Sequence, residues 1–266
     1  MGAPVITLTT DFAEDLFVGV MKGIILGINP DATIVDLTHG IPPGNVRAGA
    51  FALMVSCPHF PPGSIHVVVV DPGVGSSRKI LCVRTKRHIF IAPDNGILSW
   101  VLARKRSLEV RSVENDKYFL DEVSLTFHGR DIFAPVAAHL SLGVGMKDLG
   151  PKVRAGDVVK VNFPRPRRER SRALLGEVVY VDRFGNCITN VSPEDVDDVD
   201  PKTVWIETST LGIEGLSGSY ADVTTGRPLG ILGSSGFLEI AVAGGSASQR
   251  FGLKVGDAVT VSPGRY

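Results

Sequence analysis

Cysteine is scarce in this sequence, which has three such residues among 266. They form no CxxC pair and are too few for a disulfide scaffold. We interpret Cys57, Cys82 and Cys187 as reduced, buried, small apolar residues, a use that is typical of a cytoplasmic protein. The six histidines likewise form no HxxxH or HExxH pattern, so the sequence supports no zinc site.

Long apolar runs are also missing, since no stretch reaches the roughly 18 residues that are needed to cross a bilayer. The first residues, MGAPVITLTTDF, lack the basic segment and the long apolar core of a secretory signal. Ile6 stands where a myristoylation signal needs Ser or Thr. We therefore expect no membrane association.

An excess of charge of either sign is absent, because 28 Lys and Arg residues balance 28 Asp and Glu residues. Nucleic acids and anionic membrane surfaces require a basic footprint, so neither is an expected partner. The Arg-rich run PRPRRERSR at 164–172 is isolated, and we interpret it as a solvated linker. The expected ligand is small and either neutral or zwitterionic.

The order of the apolar segments predicts two domains. In residues 1–163, short runs such as VITLTT, ATIVDLT and IHVVVVD alternate with helical patterns, one of them over 96–105. This alternation predicts an α/β domain with a mostly parallel central sheet and flanking helices. After the linker, residues 173–266 contain short β-like segments separated by Gly, Pro, Asp and Ser, which predict a smaller, mostly antiparallel β domain.

The stretch VVVVDPGVGSSRK joins a buried strand to a glycine-rich turn. Its glycines are too close together for a phosphate-binding P-loop, and the segment leads into a strand rather than the helix that a dinucleotide fingerprint requires. Asp71 lies at the strand end, where ligands bind in open α/β sheets, and the turn can fold Arg78 back toward it. A turn aspartate with a nearby surface arginine explains the same pattern.

His128 differs from the other histidines because it lies in LTFHGRDIFAP, beside a glycine at the start of a helical stretch. This position suits a side chain that faces a pocket, and it suits a helix cap equally well. The sequence contains no GxSxG elbow and no catalytic cysteine signature, which disfavours a Ser or Cys triad.

Polar residues also gather in the second domain. The stretch VDRFGNCITN places Asp182, Phe184 and Asn186 between two strands. They are explained either as hairpin-turn residues or as one edge of a ligand site, with the phenyl ring as a stacking surface.

A second polar group surrounds the stretch LGSSGFLEIAVAGGSA. Ser234 and Ser235 precede the predicted strand, and Glu239 lies within it. A carboxylate in an apolar strand needs a partner or a ligand, so we include Glu239 among the candidate substrate-binding residues.

Six stretches, taken in order, resemble one family: TTDF with Asp15 after it, DPGVGSSR, PDNG, TFHGRDIFAP, DRFGNCITN and SSGFLEIAV. They are similar to the S-adenosyl-L-methionine (SAM) hydroxide adenosyltransferases, or SAM hydrolases, which are relatives of the fluorinase and chlorinase. The resemblance covers nearly the whole chain. It implies the reaction of SAM with water to give adenosine and L-methionine. It also implies a homotrimer whose sites lie between one subunit's N-terminal domain and a neighbour's C-terminal domain.

The resemblance also assigns roles to residues, and it implies neither a metal nor a cofactor. The family's water-activating set falls on Asp71, Arg78 and His128. Asp11 would bind the ribose hydroxyls, and Asp15 with Ser235 would bind the methionine end. The rest of the nucleoside and amino-acid pocket would come from the C-terminal domain, at Asp182, Phe184, Asn186, Ser234 and the backbone at Val242.

Two positions depart from the family pattern. Ala13 stands where the family usually has Gly, and Ala243 stands where it often has Asn, so a side-chain contact to adenine is lost. The halogenases of this resemblance carry a Tyr in place of Asp71, and a carboxylate there would repel a halide ion. Water is therefore the favoured nucleophile. A SAM-dependent halogenase and a non-catalytic SAM- or adenosine-binding module remain the alternatives.

Overall fold

The computed structural model describes residues 4–104, 108–154 and 156–264. The chain divides into two compact units, Met1–Asn162 and Phe163–Tyr266. Within the described residues, no helix is both long enough and apolar enough to cross a membrane.

The first unit is built on a six-stranded mixed sheet with the order β2-β1-β3-β5-β4-β6. Strands β2, β1, β3 and β5 run parallel to one another, whereas β4 is antiparallel to both β5 and β6. The strands are β1 (Ile6–Thr10), β2 (Ile34–Thr38), β3 (Ile65–Val69), β4 (Ile80–Arg84), β5 (Ile89–Pro93) and β6 (Glu109–Ser112).

Four helices accompany this sheet: α1 (Leu16–Ile28), α2 (Val46–Ser56), α3 (Ser99–Arg104) and α4 (Ala134–Ser141). Asp15 and Asn45 cap the first two by accepting backbone N–H groups with their side chains. The pattern over 96–105 predicted an earlier start for α3. Gly96 has a φ of 96°, which a right-handed helix excludes, and residue 105 lies outside the described residues.

Burial explains why the central strands read as continuous apolar runs. Every residue of β1 and β3 is buried, because helices or loops cover both faces of these strands. The core includes fully buried Leu8, Val67 and Phe133. Two cysteines are also buried deeply enough to be unreactive, since burial raises the pKa of Cys82 to about 12 and that of Cys187 to about 11.

The second unit is a nine-stranded sheet that is antiparallel except for the parallel pair β12–β13. Its core includes Val178, Cys187, Ile240 and Val259, which are fully buried. The strands are β7 (Arg167–Arg168), β8 (Leu174–Val181), β9 (Cys187–Thr189), β10 (Trp205–Glu207), β11 (Gly212–Glu214), β12 (Leu216–Ser217), β13 (Pro228–Leu232), β14 (Leu238–Val242) and β15 (Ala258–Ser262); a short helix, α5, spans Ala247–Phe251.

The Arg-rich run at 164–172 belongs to the second unit and is partly strand. Its residues Arg167 and Arg168 form β7, which pairs antiparallel with β8. Arg168 also contacts the carboxylate of Asp198 at 3.1 Å, so the run packs on its own unit rather than only spanning a gap.

Candidate active site

The turn after β3 brings Arg78 back onto Asp71. The N–H of Val74 donates to the carbonyl of Asp71, and the N–H of Ser76 donates to that of Gly73, which makes two successive turns. The Nε of Arg78 lies 2.9 and 2.8 Å from the two carboxylate oxygens of Asp71, and Nη2 also donates to Oδ2. The side chains of Asp71 and Arg78 are 4% and 11% exposed, which excludes a surface arginine.

His128 extends this ion pair into a chain of three side chains. Its Nδ1 lies 2.8 Å from Nη2 of Arg78. An arginine guanidinium carries only donors, so Nδ1 is the acceptor and the ring proton of a neutral imidazole resides on Nε2. His128 precedes the helical residues 129–133, but its ring is bonded to Arg78, which decides against the capping interpretation.

The surroundings favour the neutral form of this imidazole. Burial lowers the pKa of His128, and the positive charge of Arg78 lowers that pKa further. The carboxylates of Asp71 and Asp131 act in the opposite direction without reversing the shift. The ring is therefore a neutral acceptor at physiological pH, held against a permanent cation.

Gly75 fits the turn against the loop that leads to His128. Its φ is 78°, and a Cβ added there would lie 2.3 Å from the carbonyl oxygen of Leu125. Only glycine satisfies both conditions. The turn that carries Arg78 and the loop that carries His128 are thus in backbone contact.

Asp131 holds the loop before His128 in place by accepting hydrogen bonds from Ser124, and the sequence pattern did not identify this role. Asp131 is fully buried and accepts from the N–H and the hydroxyl of Ser124, each at 2.8 Å, and from Arg130 at 2.5 Å. It belongs to the single π-helical turn Gly129–Phe133, a rare geometry that is frequent at functional sites. A carboxylate inside the apolar stretch GRDIFAP was the available signal.

Asp11 and Asp71 lie at the same edge of the sheet. Thr10 at the end of β1 pairs with Val69 at the end of the parallel strand β3. Asp11 directly follows Thr10, and Asp71 follows Val69 after one residue, Val70. Oδ2 of Asp11 accepts from the N–H of Gly44 at 2.7 Å. Asn95 donates to the carbonyl of Val70 at 2.8 Å and fixes the backbone that precedes Asp71.

Asp15 and Ala13 lie on the loop between β1 and α1. Asp15 is exposed and uses Oδ1 to accept from the N–H of Leu16 at 2.6 Å. Ala13 has a φ of 53°, a left-handed conformation that favours glycine, and its N–H donates to the carbonyl of His39 at 2.8 Å. The departure from the family pattern noted above thus falls at a strained position.

In the second unit, Asp182 organises the hairpin turn between β8 and β9. Its carboxylate accepts from the N–H groups of Phe184 and Asn186, both at 2.9 Å, and from the side-chain amide of Asn186 at 3.0 Å. This is hairpin-turn chemistry. The same turn leaves the ring of Phe184 71% exposed at its tip, which is compatible with a stacking surface.

Glu239 and Ser235 are brought together by the turn that joins β13 to β14. Glu239 is 5% exposed and accepts from Ser235 Oγ at 3.1 Å and from the hydroxyl of Tyr220 at 2.8 Å. Ser234 is exposed in the same turn. No local pattern in the sequence indicated Tyr220, which is 19 residues away from Glu239.

The backbone at Val242, the last residue of β14, already makes hydrogen bonds within the second unit. The carbonyl of Val242 accepts from Gly245 at 3.0 Å. Ala243 donates to Arg227 at 3.0 Å and accepts from Gly226 at 2.7 Å. A ligand contact to these groups would therefore use the remaining lone pairs of the carbonyl oxygens.

The described residues contain no group of three or more His, Cys, Asp and Glu side chains that could hold a metal ion. What the first unit offers is a buried carboxylate, guanidinium and imidazole in contact, beside a second carboxylate at the carboxyl ends of parallel strands. The carboxyl ends of parallel strands are where open α/β sheets bind small molecules, so this cluster is the candidate active site.

Family models identify the chain more specifically. The model described as the SAM hydroxide adenosyltransferase N-terminal domain matches residues 6–150, and that of the C-terminal domain matches residues 176–260. The chain therefore belongs to the SAM hydroxide adenosyltransferase family.

Individual relatives agree with this assignment. A protein from Salinispora tropica named (R)-S-adenosyl-L-methionine hydrolase is 34% identical over 98% of both chains, and its namesake from Thermus thermophilus is 36% identical over 95% of this chain and 97% of its own. The crystal structure of an uncharacterized conserved protein from Thermotoga maritima superposes with a TM-score of 0.91 at 38% identity, covering 97% of this chain and all of the other. A fluorinase from Actinoplanes is more distant, with 27% identity over 98% of both chains.

Proposed function

We propose that this protein hydrolyses SAM to adenosine and L-methionine by attack of water on C5′ of the ribose. The observation that carries the proposal is the buried chain of contacts from Asp71 through Arg78 to His128. Family membership and the hydrolases named above supply the substrate. In the reaction, a bond forms between water oxygen and C5′, the bond from C5′ to sulfur breaks, and its electron pair leaves with methionine.

In this proposal Asp71 is the proton acceptor, and the hydrogen bonds of the three side chains support that choice. Arg78 has no lone pair to accept a proton, and Nδ1 of His128 is already occupied by a donor from Arg78. The carboxylate of Asp71 retains lone pairs beside those that bind Arg78. As water attacks, its proton passes to Asp71 and then to solvent, while Arg78 stabilises the negative charge that develops on oxygen.

The electrophile is a sulfonium cation, and its positive charge disappears as neutral methionine leaves. A dry pocket favours such cancellation of charge. Attack at C5′ rather than at the methyl group requires the ribose to be fixed. In this proposal Asp11 binds the ribose hydroxyls, and its position at the same sheet edge as Asp71 supports that role. No cofactor or metal enters the proposed reaction.

The remaining candidates bind the two ends of SAM in this proposal. Asp15 and Ser235 bind the amino-acid end, and the second unit supplies its turn residues to the nucleoside: Asp182, Phe184, Asn186 and Ser234. We also propose that the protein is a cytoplasmic homotrimer, which the family resemblance and the buried cysteines support. Light scattering on the purified protein tests the trimer by its mass.

A halogenase is the second candidate because a fluorinase matches 98% of the chain, although at the lower identity of 27%. Asp71 argues against it. A halide ion placed against this carboxylate would be repelled, and this repulsion offsets the attraction that the paired guanidinium exerts on the full charge of a halide.

One experiment separates these reactions. The protein is incubated with SAM in H₂¹⁸O, with and without chloride, and the products are followed by mass spectrometry. We expect ¹⁸O at the 5′-oxygen of adenosine, methionine in equal amount, and no dependence on chloride. A chlorinated nucleoside would establish the halogenase. Bound SAM or adenosine without any methionine release would establish a binding module.

A further inference from the structure

Glu239 is a buried carboxylate of the second unit, and it lies beside the turn that contains Ser235. It lies in β14, where every residue is buried, and its two oxygens have different partners. Oε2 accepts from the Tyr220 hydroxyl at 2.8 Å, and Oε1 accepts from Ser235 Oγ at 3.1 Å. Both hydroxyl groups donate to the carboxylate, and a buried charge requires such hydrogen-bond donors.

The chain makes room for this carboxylate at Gly233. A Cβ added to Gly233 would lie 1.9 Å from Oε1 of Glu239, so any side chain there would displace the carboxylate. Tyr220 is also held in its donor state, because burial and the neighbouring Glu239 raise the pKa of Tyr220 to about 12. The two features fix the direction in which the hydroxyl groups point.

The direction matters for Ser235, because a serine hydroxyl has one proton and two lone pairs. The proton of Ser235 is committed to Glu239. The oxygen, on a half-buried residue that solvent still reaches, is left with lone pairs alone. A ligand group that approaches this oxygen must therefore be a hydrogen-bond donor.

We propose that Glu239 is a positioning residue that turns Ser235 into an acceptor, so that Ser235 selects the ammonium group of the substrate's amino-acid end and not its carboxylate. The inference rests on the proposed function for the identity of that end. It assigns Glu239 an indirect role, because Glu239 is only 5% exposed and each of its oxygens already accepts from a hydroxyl of the protein.

The test compares three ligands that differ at one group: SAM, decarboxylated SAM, which keeps the ammonium, and a deaminated analogue, which keeps the carboxylate. Dissociation constants are measured by calorimetry in an Asp71→Ala background, so that the ligands survive. In that background we add Glu239→Gln or Ser235→Ala, with Glu207→Gln as the control, since Glu207 is an exposed glutamate of β10 in the same unit.

In the Glu239→Gln variant, the amide oxygen can accept from Tyr220 only if the NH₂ group faces Ser235, which reverses the polarity of that hydroxyl. Hydrogen bonds to charged groups are worth enough that a loss of about tenfold to a hundredfold in affinity is expected for SAM and decarboxylated SAM. The deaminated analogue should bind both variants within about twofold of the Asp71→Ala parent, by the same reasoning.

Two results overturn the inference: equal losses for all three ligands, or a loss confined to the ligands that carry the carboxylate. If Glu239→Gln does not fold, Ser235→Ala alone gives the same discrimination.

In an Asp71-intact protein, Glu239→Gln should raise KM for SAM and leave kcat within about threefold, because Glu239 acts on ground-state and transition-state binding alike. A wild-type protein that does not turn SAM over refutes hydrolysis, whereas the calorimetric comparison still decides the role of Glu239.

Discussion

Nη2 of Arg78 lies 2.8 Å from Nδ1 of His128, and the same guanidinium donates hydrogen bonds to both oxygens of Asp71. One permanently charged group thus contacts both other side chains. Because the guanidinium has only donors, Nδ1 of His128 accepts, and the neutral ring carries its proton on Nε2. The proposed division of labour, with Asp71 as base and His128 as support, follows from this contact.

Replacing Asp71 by Ala should lower kcat for SAM by about 10² to 10⁴, the usual contribution of a positioned base, and leave adenosine binding largely intact. The measurement is single-turnover methionine release together with calorimetric titration of adenosine. Asp121→Ala is the matched control, because Asp121 is an exposed aspartate of the same unit. Wild-type turnover in Asp71→Ala would remove this residue from the mechanism.

The pH profile of kcat/KM should report the neutral state of His128. Burial and Arg78 lower the pKa of His128 below its ordinary value of about 6.5, so protonation, which breaks the contact with Arg78, begins only at lower pH. Activity should therefore hold down to about pH 6.5 and fall below it. His128→Gln keeps an acceptor for Arg78 but cannot titrate, so its acid limb should move to lower pH.

Nitrogen-15 chemical shifts of the His128 ring provide a direct check on this assignment. We expect the signals of the Nε2–H tautomer at neutral pH. A protonated Nδ1 in the resting protein would contradict the acceptor role and reopen the choice of base.

Gly75→Ala should destabilise the protein and reduce turnover together. The left-handed φ alone costs a side chain about 1–2 kcal/mol, and the Cβ would also displace the Leu125 carbonyl, on the loop that carries His128. Gly63→Ala is the control, since Gly63 has a φ of 91° and open space around its Cβ position. Urea unfolding should therefore show a larger loss for Gly75→Ala, and only this variant should lose kcat. Equal losses would show that the contact with Leu125 is unimportant.

Local turn chemistry made part of this site predictable from sequence. Asp71 and Arg78 are seven residues apart across a glycine-rich turn, so the chain itself brings them together. His128 is 50 residues from Arg78, and whether it caps a helix or joins the ion pair depends on how two loops pack. The sequence left both interpretations open because neither loop encodes the contact alone.

The same reasoning explains the residues that were missed or that remained ambiguous. Glu239 stood out as a carboxylate in an apolar strand, but its partner Tyr220 comes from another element. The start of the predicted helix over 96–105 was wrong because helical spacing of apolar residues does not register the positive φ of Gly96. Periodicity reports burial, and it is insensitive to a single backbone angle.

Ala13→Gly should stabilise the first unit. The left-handed φ of 53° costs alanine about 1–2 kcal/mol, whereas the extra freedom of glycine in the unfolded chain costs about 0.5–1 kcal/mol, so the net gain is about 0–1.5 kcal/mol. Ala103→Gly is the control: Ala103 lies in α3, where glycine should cost about 1 kcal/mol. Opposite shifts in the urea midpoint are expected, and a loss in both variants would show that position 13 is not strained.

His66 should make stability depend on pH. It is fully buried in β3, bonded to Thr7 at 2.8 Å and adjacent to His88, and burial lowers the pKa of His66 to about 3. The pKa of His66 in the unfolded chain is about 6.5. Between the folded and the unfolded pKa, the unfolded state binds a proton at this residue and the folded state does not. This one residue should thus remove about 1.4 kcal/mol of stability for each pH unit below 6.5, and nothing above it.

The His66→Gln variant cannot take up that proton, so its stability should fall less steeply between pH 6 and pH 4.5 than that of the wild type in urea titrations. His59→Gln, which removes an exposed histidine, should keep the wild-type slope, and an unchanged slope in His66→Gln would show that His66 is protonated in the folded protein.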